Sequence, residues 1–126
     1  MKKEKYELEF MIHASPSMLY SHISTPDGLS EWFADNVNSR GENFEFIWDD
    51  SGENAKLLKS KQDKYVRFQW EDDEETDYYF NIEILVDDLT KDVSLIITDF
   101  TEKDELDEAK MFWENQIAEL KHAIGA

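Results

Sequence analysis

Two proline-opened helices, written back to back between residues 15 and 35, constrain this chain more than any other feature. Ser15-Pro16 and Thr25-Pro26 each place a side-chain oxygen directly before a proline. The hydroxyl can cap orphan backbone amides while the proline takes the first helical position, where its missing N–H costs nothing. After the second pair, Leu29, Trp32 and Phe33 fall at steps of three and four, and Asp27 sits in the first turn, where the helix dipole favours an anion. One face of this short helix must be buried.

On both sides of that segment the period drops to two. Tyr6, Leu8, Phe10 and Ile12 alternate with Lys5, Glu7, Glu9 and His13, broken only by Met11, which predicts a half-buried antiparallel strand. The same alternation returns in Phe44, Phe46 and Trp48, in Val66, Phe68 and Trp70, and in Tyr78, Phe80, Ile82, Ile84 and Val86. Arg40-Gly41-Glu42-Asn43, Asp49-Asp50-Ser51-Gly52, Gln62-Asp63-Lys64 and the polar stretch from Asp87 to Lys91 are the expected turns. Consecutive strands so joined form a meander. A last strand from Asp92 to Phe100 is rich in β-branched residues, and Thr101-Glu102-Lys103-Asp104 offers caps for a terminal helix. From Asp104 onward Leu106, Ala109, Trp113, Ile117, Leu120 and Ile124 form one apolar stripe at helical spacing. The predicted order is strand, two short helices, about six strands, long helix, and no repeat, linker or low-complexity segment divides residues 1–126 into more than one domain.

The residues that open this pattern also carry a family resemblance. Thr25-Pro26-Asp27-Gly28-Leu29 followed by Trp32-Phe33 resembles the helical pair of the START-like superfamily, in particular the branch of polyketide cyclases and homologues of the heat-shock-chaperone ATPase activator. Phe112-Trp113 and Leu120-Lys121 are similar to the Gly-Trp and Leu-Lys pattern of that family's C-terminal helix, with Phe112 in place of the glycine. The resemblance implies an α+β helix-grip fold: a curved antiparallel sheet of about six to seven strands wrapped on the long C-terminal helix, with two short helices after the first strand.

Charge and composition bound the partners. A formal net charge of −17 repels phosphate backbones and anionic headgroups, so nucleic acid is not an expected partner. No apolar run approaches the roughly 20 residues a membrane span needs, and Met1-Lys2-Lys3-Glu4-Lys5 leads directly into strand pattern. The expectation is a cytoplasmic protein without membrane insertion. With no cysteine, disulfides, thiolate metal sites and a cysteine nucleophile are excluded.

In a helix-grip fold a cavity can open between sheet and terminal helix, and Trp32, Phe46, Trp48, Phe68, Trp70, Phe80, Trp113 and Ile117 are the candidate ligand wall. Taken singly, each reads first as ordinary core, because buried aromatics usually serve packing. So many rings leave room for a modest apolar ligand or none. Catalysis needs converging polar groups. His13 falls on the polar parity of its strand, His22 lies beside core-forming Leu19 and Ile23, and His122 is off the apolar stripe. Arg67 is assigned to the outer face as an ion-pair partner, and Arg40 is placed to reach the cavity mouth. Asp99, if inward, is the best clue to polar chemistry, against a capping or turn role. Six acids among residues 71–77 lack the glycine-centred loop of a calcium site and read as a solvated hairpin tip. No catalytic residue, cofactor or metal is therefore expected.

Three functions follow in order: a non-catalytic module binding a small hydrophobic or amphipathic molecule, a protein-interaction module modulating a chaperone ATPase, and a cyclase- or aromatase-type enzyme. The exposed strand edge expected at residues 36–40 makes a monomer or weak dimer the expected state.

Overall fold

Both proline pairs open helices in the way their chemistry requires. In the computed structural model, which describes residues 2–126, the first strand β1 (Glu4–Met11) leads to α1 (Pro16–Ser24) and then α2 (Pro26–Leu29). Ser15 Oγ accepts from Met18 N at 3.2 Å, and Thr25 Oγ1 accepts from Gly28 N at 3.0 Å while donating to Ser21 O at 2.7 Å. Gly28 makes the second helix fit. A Cβ there would overlap the Ser21 carbonyl oxygen and lie 2.6 Å from His22 Cα, so the two helices cross at a separation only glycine permits.

The chain continues through β2 (Asn36–Arg40), β3 (Asn43–Trp48), β4 (Ser51–Lys61), β5 (Tyr65–Trp70), β6 (Phe80–Val86) and β7 (Val93–Thr101), and ends in α3 (Leu106–Ile124). The strands make one antiparallel sheet in the order β1-β7-β6-β5-β4-β3-β2. The helical pair carries the chain from the β1 edge to the β2 edge, and everything after it is a meander.

β4 departs from the expected pattern. It is the longest strand, at 11 residues, yet only Ala55 and Leu57 are withdrawn from solvent. Its place between β3 and β5 is held by the backbone ladder rather than by apolar alternation, which is why residues 51–61 carry so weak a strand signal. Ser51 and Gly52 belong to this strand, not to the turn before it. The turn is Asp49-Asp50, with φ of 47° and 66°, the left-handed pair that a two-residue hairpin loop demands. Asp35 Oδ2 accepts from Asp49 N at 2.8 Å and steadies it. A bulge between Leu57 and Lys59 leaves Leu58 unpaired. β6 begins at Phe80, so Tyr78 and Tyr79 precede the ladder.

One face of the sheet carries Phe44, Phe46, Val66, Phe68, Phe80, Ile82, Ile84, Leu95 and Ile97, all buried. Against it α3 buries Trp113, Ile117 and Leu120. Three such side chains contribute roughly 5–9 kcal/mol of gross burial energy, enough to hold a helix that would be marginal alone. Its C-terminus closes in a Schellman motif: Gly125 adopts φ 73°, Gly125 N donates to His122 O at 3.4 Å and Ala126 N to Lys121 O at 2.8 Å. The N-terminus has no side-chain cap. Instead of the capping expected from residues 101–104, a single 3-10 turn at Lys103–Glu105 feeds the helix, with Asp107 and Glu108 placed on its dipole. No helix among the described residues is long and apolar enough to cross a membrane.

Candidate functional site

Phe33 packs between the rings of the sheet and those of α3. Its ring stacks on Phe80 at 5.7 Å and on Trp113 at 5.6 Å, and meets Phe46 and Trp48 edge-on at 5.2 and 5.6 Å. The backbone holds the ring in place. Phe33 O accepts from Trp48 Nε1 at 2.9 Å and from Gln116 Nε2 at 2.6 Å, tying the segment after α2 to both sheet and helix.

Of the eight residues expected to line a cavity, six lie in this packed interior. Phe46, Phe68, Phe80, Trp113, Ile117 and Trp32 are each no more than 4% exposed. Trp32 is held by a hydrogen bond from its Nε1 to His22 O at 2.8 Å. Only Trp48 and Trp70, at the ends of β3 and β5, are half-buried and reach open space.

Asp99 does point inward. Tyr6, Asp99 and Trp113 meet at one end of the concave face: Asp99 Oδ2 accepts from Trp113 Nε1 at 3.0 Å and from Tyr6 Oη at 3.3 Å, and Oδ1 accepts from Phe100 N at 2.8 Å. Burial pushes its pKa above the usual carboxylate range, and the three donors oppose part of that rise. Tyr6 is likewise pushed well above its ordinary value, by burial first and then by the neighbouring Asp99 charge. With every donor directed at protein groups, Asp99 fastens α3 and β1 to β7.

The open space is a cleft of about 580 Å³ at the end of the interior, within the range that holds small ligands. Trp48, Trp70 and Phe112 form its walls, with Glu53, Asp72 and Asp73 as its acids and Lys3 and Ser51 completing it. Trp48 and Trp70 lie 6.1 Å apart at 53°. Phe46 backs both rings, at 6.2 and 5.5 Å. Phe112 projects from α3, 41% exposed, with its edge toward Phe33. Glu53 pairs in register with Phe46, so a carboxylate occupies a position of the concave face where apolar groups are the rule. Asp72 and Asp73 come from a 3-10 turn at Glu71–Asp73, inside the acidic run. Lys3 Nζ reaches Asp73 Oδ1 at 3.4 Å and lies 5.4 Å from the centre of the Tyr78 ring.

Arg40 does not approach this mouth; it borders a separate depression of about 540 Å³ with Asn38, Asn43, Lys56 and Gln69. Its outward parity in the β2–β3 hairpin opposite Asn43 is the reason. Arg67 forms no ion pair within the described residues. It donates to Asn81 Oδ1 at 3.1 Å and stacks on Tyr79 at 4.1 Å instead. No histidine borders the cleft: His13 and His122 are exposed, and His22 sits 2.9 Å from Met18 O and 3.3 Å from Glu31.

Phe33, Phe112 and Glu53 are not among the residues the sequence assigns to the site, although Phe33 belongs to the expected buried face of the second helix and Phe112 stands in place of the family's glycine. Phe112 carried a signal, as a large ring next to the stripe residue Trp113. Glu53 carried none, because the strand that orients it has no alternation.

The comparisons agree with this architecture. A family model described as a START-like superfamily domain matches residues 1–126. A Bacteroides fragilis protein solved by NMR is 38% identical, with 98% of this chain and 93% of that one covered and a TM-score of 0.70. The Aha1 dimer from Colwellia psychrerythraea is 20% identical over 95% of each chain at a TM-score of 0.79. DynU16, from the dynemicin biosynthetic locus, is 10% identical over 97% of this chain and 47% of its own, at a TM-score of 0.74. At those last two identities the likeness carries the fold alone. No curated protein sequence matches. The helical pair, the seven-stranded sheet gripping α3 and the match along the whole chain together make this protein a member of the START-like superfamily.

Proposed function

We propose that this protein is a non-catalytic binding module for a small hydrophobic or amphipathic molecule, held at the end of the interior between sheet and α3. The observation that carries the reading is the cleft of about 580 Å³ with Trp48, Trp70 and Phe112 as its walls. Two half-buried rings and the exposed Phe112, on three different elements, leave a hydrophobic slot open to solvent, while Phe33 blocks deeper entry. The occupant is therefore short, of ring or short-chain dimensions, and lies among the three outer rings. The six buried members of the expected wall act as the floor that fixes those rings.

Thermal unfolding and tryptophan emission, followed against a panel of aromatic and short-chain amphiphiles, test this directly. A ligand present at a hundred times its Kd adds about 2.7 kcal/mol, which raises the Tm of a chain of this size by roughly 10 °C. The emission change should shrink in Trp70→Leu, leaving the part that Trp48 contributes. Silence in both signals across the panel would remove the reading. Modulation of a chaperone ATPase ranks second, since the likeness to Aha1 supports the fold; absence of stimulation at saturating protein would discard it.

A further inference from the structure

We infer that the ligand of this cleft is a small organic cation, an aromatic or short-chain amine whose ammonium group sits between the tryptophan faces and the carboxylates. The inference rests on the binding reading above and names its ligand class. Three carboxylates, Glu53, Asp72 and Asp73, share the cleft with one ammonium, Lys3, and Lys3 is already paired with Asp73. Among the described residues Glu53 and Asp72 have no ion-pair partner. Glu53 lies on β4 and Asp72 in the 3-10 turn that follows β5. Ala55 and Trp70 form the last pair of the β4–β5 ladder, and both carboxylates lie just beyond that end, where they border the cleft. Glu53 has the concave parity of Phe46, its partner in register.

Rings and carboxylates together select for charge as well as for shape. The negative face of an aromatic ring attracts a cation within about 6 Å of its centre, most strongly for tryptophan. A neutral ring gains only the apolar contact, and an anion meets both the ring faces and the carboxylates unfavourably. The protein uses the same pairing twice within its own structure, with Lys3 over Tyr78 and Arg67 over Tyr79. Trp70 is also the tryptophan whose Nε1 has no hydrogen-bond acceptor among the described residues, whereas Trp32, Trp48 and Trp113 are each tied to one. Its ring is the least constrained to adjust to an incoming group.

The test uses three probes of one shape: naphthylmethylammonium, naphthalenemethanol and naphthoate, titrated by tryptophan fluorescence and calorimetry. The ammonium is expected to bind at least tenfold tighter than the alcohol, and naphthoate weaker than both. Glu53→Gln and Asp72→Asn should each weaken the ammonium three- to tenfold and leave the alcohol unchanged. Asp88→Asn, an exposed charge in the turn at the opposite end of β6, should leave both unchanged and so measures the general pull of the acidic surface. Equal affinity for ammonium and alcohol would overturn the cation inference while the binding reading stands. An equal loss in Asp88→Asn would also overturn it, by assigning the preference to net charge. If none of the three probes binds, the binding reading falls together with the inference.

Discussion

Replacing Phe33 by alanine should both destabilise the protein and create a cavity that it now lacks. The ring touches five other buried or half-buried aromatics, Trp32, Phe46, Trp48, Phe80 and Trp113, and is 1% exposed. Returning such a ring's burial energy costs about 2 kcal/mol. A residual cavity of about 80 Å³ adds roughly 2 kcal/mol, because neighbours held by their own contacts collapse only in part. The hydrogen bonds to Phe33 O come from its backbone and survive. The expected loss is therefore about 4 kcal/mol. With an unfolding entropy near 2.1 cal/mol/K per residue, this lowers the Tm of a chain of this size by about 15 °C. Chemical denaturation and calorimetry measure the loss. Benzene, the size of the ring removed, should then restore several degrees to Phe33→Ala and leave the parent unaffected, since an apolar cavity stays dry and accepts apolar guests. A Tm drop below about 4 °C, or equal stabilisation of parent and variant by benzene, would refute the claim that Phe33 is what closes the interior.

Other substitutions test the remaining supports. Gly28→Ala should cost about 3 kcal/mol, because the added methyl meets Ser21 and His22 backbone atoms that cannot move independently; a Tm within 2 °C of the parent would show that the helix pair can separate freely. Thr25→Ala removes the acceptor for Gly28 N and should cost about 1 kcal/mol in urea unfolding, whereas Thr25→Ser should cost much less; equal losses would disconnect the hydroxyl from the cap. Asp99→Asn addresses pH. The raised pKa of Asp99 means the folded state holds more protons than the unfolded chain between the ordinary carboxylate value and the raised one, so its contribution to stability falls as pH rises through that window. Asp87 acts with the opposite sign: its pKa is lowered by the backbone amides of Thr90 and Leu89, so its contribution is lost as pH falls. It is common to both proteins and cancels in the difference. The stability of Asp99→Asn relative to the parent should therefore improve from pH 4 to pH 7, and a constant difference would contradict the assignment.

The fold was legible because its strongest signals are local and redundant. Ser15-Pro16, Thr25-Pro26 and the stripe from Leu106 to Ile124 state helix starts and a buried face in their own residue types, and the aromatic alternation of β3 and β5 states which side they bury. β4 escaped because a strand between two others can be held by its ladder alone, and eleven mostly polar residues with a bulge carry no period. The site was only half legible for the same reason. Trp48 and Trp70 belong to alternating strands and were named. Glu53 depends on the unreadable strand for its direction, and Phe112 depends on where α3 stops covering the sheet. Nor could spacing tell which ring closes the interior: Phe33 and Trp32 are adjacent, and the Trp48 and Gln116 hydrogen bonds to Phe33 O decide it.

The most direct measurement is a heteronuclear NMR titration that watches the four indole N–H signals as naphthylmethylammonium is added. Trp32, Trp48 and Trp113 have distinct acceptors, His22 O, Phe33 O and Asp99, and Trp70 stands apart from them, so single tryptophan-to-phenylalanine variants assign all four. With the ligand at the mouth, Trp48 and Trp70 shift with one common Kd while Trp32 and Trp113 stay in place. Shifts at Trp113 and Trp32 with Trp48 and Trp70 unmoved would place the ligand inside and contradict a closed interior with its binding site at the mouth.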